Sequence, residues 1–182
     1  MMKPAAIAAC GLFLAGCGFH PLYAVPDMPD GSMQKHLQSV YVEPVPDRLG
    51  FEMRNQLIDL LDGKGEPAGA AYRLRVSLTQ KSAAIGVQSQ RIPPDCLDPS
   101  CPTQTAITRY NDTLIAEYEL VEVKTNTVVT KGIETGLTSY NVLASPYATL
   151  AVQQDADQRA AEDIADRIRI DLAVYFAQQA KQ

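Results

Sequence analysis

The segment Tyr72-Arg73-Leu74-Arg75-Val76-Ser77-Leu78-Thr79 alternates apolar and polar residues without a break. Successive side chains of a strand point to opposite faces, so Tyr72, Leu74, Val76 and Leu78 share one face and the polar residues the other. A second alternating stretch runs from Tyr110 to Val123, with Leu114, Ala116, Tyr118 and Leu120 on one face. A sheet made of such strands is apolar on one side, and that side needs a cover. The chain supplies two. Leu49, Met53, Leu57, Leu60 and Leu61 recur at helical spacing between Arg48 and Leu61. Ala156, Ala160, Ile164, Ile168, Leu172 and Phe176 recur every four residues in a longer segment.

The boundaries of these elements are marked by residues with known conformational preferences. Asp47 is placed to cap the first helix, and Asp62-Gly63 to stop it. Ser145-Pro146 opens the long helix, because Ser caps well and Pro loses nothing at the first helical position. That helix is expected to end near Gln178. Lys124 to Thr127 reads as a hairpin turn, returning the chain into a strand over Val128–Tyr140 that is interrupted by Gly132 and Gly136. Ser39 to Glu43 is a short β-rich stretch ended by Pro44 and Pro46. The strand from Tyr72 extends to about Val87, and residues 88–105, with Pro93, Pro94, Pro99 and Pro102, break the pattern. The order β-α-β-β-β-α predicts an α+β two-layer sandwich: a mainly antiparallel four-stranded sheet with two helices on one face.

Ahead of this domain stands an address. Lys3 is followed by the apolar run Ala5 to Leu14, within the roughly 7–15 residues of a signal-peptide core and too short to span a bilayer as a helix. The run ends in Leu14-Ala15-Gly16-Cys17, small residues directly before a Cys, which resembles the bacterial lipobox. Residues 1–16 are therefore expected to be removed and Cys17 to be acylated. Gly18 follows the Cys, where an Asp is associated with inner-membrane retention, so the resemblance implies an outer-membrane anchor on the periplasmic side. Residues 17–37, rich in Pro, Gly and Asp, are read as a lipidated tether with little regular structure, and residues 38–182 as the folded domain.

Composition narrows the chemistry. With 46% hydrophobic and 20% charged residues the chain is ordinary for a globular domain, and its net charge of −5 argues against nucleic acid as a partner. The two His, His20 and His36, have no Cys or carboxylate at ligand spacing, so no metal and no cofactor are expected. No phosphate loop or Gly-x-Ser-x-Gly elbow occurs, and an enzyme is disfavoured. Cys96 and Cys101, four residues apart around a Pro, are expected to pair in an oxidising compartment; a free pair is the alternative. Arg73, Arg75, Lys81, Arg91, Arg109 and Lys131 fall on or beside the strands, as scattered solvated charge or as a cluster for an anionic headgroup.

Two stretches resemble a known family. Leu14-Ala15-Gly16-Cys17-Gly18-Phe19-His20-Pro21-Leu22-Tyr23 is similar to the start of LptE, the lipopolysaccharide-assembly lipoprotein, particularly its alphaproteobacterial branch. Ser139-Tyr140-Asn141, Ser145 to Ala151, and Asp155-Ala156 with Arg159-Ala160 are similar to its C-terminal half. The resemblance implies a partner, the LptD-type outer-membrane β-barrel, whose lumen the lipoprotein plugs and whose assembly it assists. It also implies binding of lipopolysaccharide during transport to the outer leaflet, for which Arg91 and Arg109 are the candidate contacts. The enterobacterial branch carries a Lys after the Pro that opens the last helix; here that stretch reads Ala151-Val152-Gln153-Gln154, without positive charge. The alternative is a structural or envelope-transport accessory lipoprotein that does not bind lipopolysaccharide.

Overall fold

The computed structural model describes residues 32–61, 69–91, 95 and 97–180 of the chain. The signal and lipobox, Cys17, the tether up to Gly31, the Asp62-Gly63 stop and Cys96 lie outside the described residues. The elements in chain order are α1 (Ser32–Leu37), β1 (Val40–Val42), α2 (Asp47–Leu61), β2 (Tyr72–Arg91), β3 (Thr103–Glu122), β4 (Thr127–Asn141) and α3 (Pro146–Gln179). They form one four-stranded sheet in the order β1-β2-β3-β4. β1 runs parallel to β2, and the two other pairs are antiparallel. The expected α+β architecture is present, with a third helix added.

That third helix corrects one expectation. The stretch read as tether ends in α1, whose Met33 and Leu37 are buried in the core and whose His36 ring stacks on Phe176 of α3 at 5.3 Å. Met33 and Leu37 lie at i and i+4, a spacing too short to register as a helical pattern beside polar neighbours. A second correction concerns residues 88–105. The strands do not stop at Val87: β2 and β3 stay paired out to Arg91↔Thr103. The polar Gln-Ser-Gln-Arg and Thr-Gln-Thr runs carry a ladder without an apolar face to announce it.

Parity along the strands sets the core. Leu74, Val76, Leu114, Ala116, Tyr118 and Leu120 are buried on the helix-facing side. α3 brings Ile164, Ile168, Leu172 and Phe176 against them, and α2 brings Met53, Leu57 and Leu61. Burying each of these larger side chains contributes about 1.5–3 kcal/mol. The helix lies close because β4 has no side chain where it crosses: a Cβ on Gly136 would stand 3.2 Å from the Ala160 carbonyl oxygen. Gly132 makes room for the Tyr118 ring, and a Cβ there would fall 2.5 Å from its hydroxyl. The interruptions in the β4 pattern are thus sites of close approach.

The helix ends are satisfied by side chains. Ser145 caps α3, its hydroxyl accepting the Ala148 N–H at 3.5 Å, with Pro146 at the first position as expected. Arg169 Nε donates to the Leu60 carbonyl at 3.2 Å, covering an orphan acceptor at the end of α2. Asp47 begins α2 with φ of 70°, in the left-handed region that Asp enters more readily than most residues. At the hairpin between β3 and β4, Asn126 occupies the same region with φ of 53°.

Candidate functional site

The two ends of the molecule differ. At one end α1 stacks on the last turns of α3, so the N-terminal segment joins the domain there. α3 spans 34 residues, about 50 Å at 1.5 Å per residue, and its first turn lies at the opposite end. There β4 finishes at Asn141, paired with Arg109, while β2 and β3 continue alone from Val87↔Ile107 to Arg91↔Thr103. This leaves a two-stranded ribbon projecting about 17 Å beyond the sheet.

The ribbon and its surroundings expose apolar surface. Val87 and Ile107 are cross-strand partners, exposed to 60% and 40%. Val142 follows β4 and donates its N–H to the Thr108 carbonyl at 2.9 Å, which draws the start of α3 to the ribbon base. Leu143, Tyr147 and Leu150 are exposed beside it, Tyr147 to 87%. These exposed apolar side chains make this end the candidate interaction surface. At the ribbon tip Asp98 organises a turn, its carboxylate accepting from the Ser100 N–H at 2.8 Å and the Ser100 hydroxyl at 2.7 Å. Those bonds hold its carboxyl below the usual aspartate range. Cys101 closes the turn by donating its N–H to the Asp98 carbonyl at 3.1 Å.

The basic residues do not assemble as one cluster. Arg73 and Arg75 are engaged by acids on the open face of the sheet: Arg75 contacts Glu43 at 3.3 Å and Glu119 at 3.2 Å. Arg109 stands at the ribbon base and donates to Ser139. Arg91 is at the other end of the ribbon, about 17 Å along β2 from the Gly86 position that faces Arg109. The two candidate headgroup contacts therefore mark the two ends of one arm.

Sequence reasoning missed two polar clusters along the seam between α3 and the sheet. In the first, Gln80 Nε2 donates to Asp157 at 2.6 Å and to Asp112 at 3.3 Å, and the Ser82 hydroxyl donates to Asp112 at 2.6 Å. Burial, and then the charge of Asp112, push the Asp157 carboxyl up. In the second, the Tyr118 hydroxyl donates to Asp171 at 2.7 Å, with Glu134 and Arg167 alongside. Burial, and then Asp171, push Glu134 up. Burial leads in raising Tyr118 as well. The signal was present in parity: Asp112 falls on the same side of β3 as Leu114, and Asp171 lies next to Leu172 on the helix. Among the described residues no group of three or more His, Cys, Asp or Glu is placed to hold a metal ion. No described helix is long and apolar enough to cross a membrane.

The family model for LptE, lipopolysaccharide assembly, matches residues 37–172. The chain belongs to the LptE family. LptE proteins are non-enzymatic lipopolysaccharide-assembly lipoproteins, so the chain is not read as an enzyme. A crystal structure of a lipoprotein from Caulobacter crescentus is similar at 25% identity and a TM-score of 0.61, over 80% of this chain and 96% of that one. The rare lipoprotein B of Shewanella oneidensis shares the fold at 12% identity and a TM-score of 0.51, over 78% and 98% of the two chains. An uncharacterised protein of Rickettsia prowazekii is 25% identical over 145 residues, 80% of this chain and 82% of its own length. As an LptE-family protein, the chain has a role in lipopolysaccharide assembly at that general level.

Proposed function

We propose that the chain is an outer-membrane lipoprotein that pairs with an LptD-type β-barrel, as plug and assembly partner, and takes part in moving lipopolysaccharide to the outer leaflet. The family match over residues 37–172 carries this reading. Residues 1–16 act as signal peptide, and Cys17 carries the acyl chains, palmitate among them. Each buried CH₂ contributes about 0.8 kcal/mol, so two or three chains hold the protein at the periplasmic side of its membrane where one would not. The domain's polar, mixed-charge open face suits a water-filled barrel interior, and the anchor raises the local concentration of the two partners.

The ribbon end is the part assigned to lipopolysaccharide and barrel contact. Arg91 and Arg109 reach phosphate groups of the glycolipid, and a disulfide between Cys96 and Cys101 stiffens the tip. The disulfide-bonded state of Cys101 supports that pairing. Extraction in mild detergent tests the main reading: the protein is expected to co-purify with a large outer-membrane barrel, and recovery of the lipoprotein alone would count against it. The separation of Arg91 from Arg109 favours the second reading, an accessory lipoprotein without lipopolysaccharide binding. Replacing both with Glu decides between them: salt-dependent loss of glycolipid binding supports contact, and unchanged binding removes it.

A further inference from the structure

α3 is docked unevenly. Its large buried side chains, Ile164, Ile168, Leu172 and Phe176, all lie in its C-terminal half. Toward its N-terminal end the buried residues are Ala156, Asp157 and Ala160, with Val152 half-buried. Dispersion and burial therefore hold that end weakly, and polar contacts decide whether it stays closed.

Asp112 and Asp157 are the buried charged residues among the described residues, exposed to 1% and 7%. Asp112 belongs to β3 and Asp157 to α3, so their bridge through Gln80 crosses the seam. Both hydrogens of the Gln80 amide are used in it, and Ser82 satisfies the outer oxygen of Asp112. The groups facing Asp157 from the packed elements are Asp112 and Gln80, Tyr140 of β4, and Arg48 and Glu52 of α2. Arg48 is the cation of this set, and it is engaged by Glu52. Asp112 and Asp157 are buried although the bridging Gln80 is exposed, and two buried carboxylates sharing one amide repel unless one of them holds a proton.

We propose that the Asp112–Gln80–Asp157 bridge is a proton-operated latch: with a proton on Asp157 it holds the N-terminal half of α3 on the sheet, and loss of that proton loosens it. The closed form binds the proton more tightly than the open form. Its closure is therefore fully present below the ordinary aspartate range and is lost as pH rises through the raised value of Asp157. The segment released is the one that presents Tyr147 and Leu150 beside the ribbon.

Amide hydrogen exchange on the full chain in detergent tests the latch. Protection of residues 150–160 is measured relative to residues 115–120 of β3, from about pH 3, below the ordinary aspartate range, to about pH 8, with intrinsic rates divided out. The relative protection is expected to fall about threefold or more as pH rises. Asp157→Asn, shaped like the protonated acid, is expected to hold protection at its low-pH level throughout. Asp112→Asn is expected to lessen the slope, because the opposing charge is removed while the burial of Asp157 remains, and serves if the first variant does not fold. Asp155→Asn, on the exposed side of the helix, is expected to keep the wild-type slope. A flat wild-type profile, or an unchanged slope in both Asp157→Asn and Asp112→Asn, would overturn the proposal.

Discussion

The C-terminal half of α3 and its first turns are parts of one helix under different rules. From Ile164 to Phe176 the helix presents a large side chain to the core at every fourth position, and each is buried to 2% or less. From Tyr147 to Asp157 the fully buried positions are Ala156 and Asp157, and Tyr147 and Leu150 are exposed. The first region has the composition of a scaffold. The second has that of a surface kept ready for something else, and the projecting ribbon beside it shares that character. Buried and exposed large side chains are thus separated along one helix.

The sharpest way to test this difference is to truncate one residue from each region. Leu172→Ala leaves a cavity in the scaffold and is expected to cost about 2–5 kcal/mol. Leu150→Ala removes a side chain that is half exposed and is expected to stay within about 0.5 kcal/mol. Urea unfolding followed by circular dichroism measures both, and equal losses would contradict the division. The seam itself gives an intermediate effect. Gly132→Ala places a methyl group against the Tyr118 hydroxyl and ring, so that ring must move off Asp171. The expected cost is about 1–3 kcal/mol, read as a lower urea midpoint. At the far end Ser145→Ala removes the helix cap at a cost of about 1 kcal/mol or less, because its bond is long and exposed.

These regions were not equally legible in the sequence. The strands whose parity carries Leu74, Val76, Leu114 and Leu120 could be read directly. So could α3, where apolar residues spaced by four, with charged residues between them, form one continuous stripe along a helix. The ribbon could not. Its strands hold Gln88, Ser89, Gln104 and Thr105, pair with each other, and none of their described side chains is buried, so no periodicity distinguishes them from a loop. α1 was hidden for a related reason: a helix of six residues with two core contacts leaves too short a pattern. The seam acids were visible by position but not by role. That Asp112 faces inward follows from its neighbours, while its meeting with Gln80 and Asp157 depends on how α3 crosses the sheet.

The second acid pair offers a pH test distinct from the latch. Glu134 is pushed up by burial first and by Asp171 second, against the opposing charge of Arg167. The folded chain therefore binds this proton more tightly than the unfolded chain. Its contribution to stability is greatest below the ordinary glutamate range and is lost as pH rises through the raised value. Glu134→Gln is expected to flatten the fall in urea midpoint over that window. An unaltered pH profile in the variant would show that Arg167 already compensates the pair.

The smallest effect on stability is expected where the effect on contact is largest. Val87 and Ile107 face each other across the ribbon, past the last residue of β4, and both are exposed. Replacing both with Thr keeps the β-branched shape that suits a strand and removes apolar surface only from solvent. The unfolding midpoint is therefore expected to shift by no more than about 0.5 kcal/mol. If the ribbon is a docking arm, recovery of the barrel with the lipoprotein is expected to drop, because apolar groups at the centre of a contact carry most of its energy. Unchanged recovery together with an unchanged midpoint would assign the ribbon no part in binding and move the search to the open face of the sheet around Ile133 and Leu137, which are also exposed. A fall in midpoint would instead mean that the ribbon belongs to the scaffold, and that the boundary between the two regions lies nearer its tip.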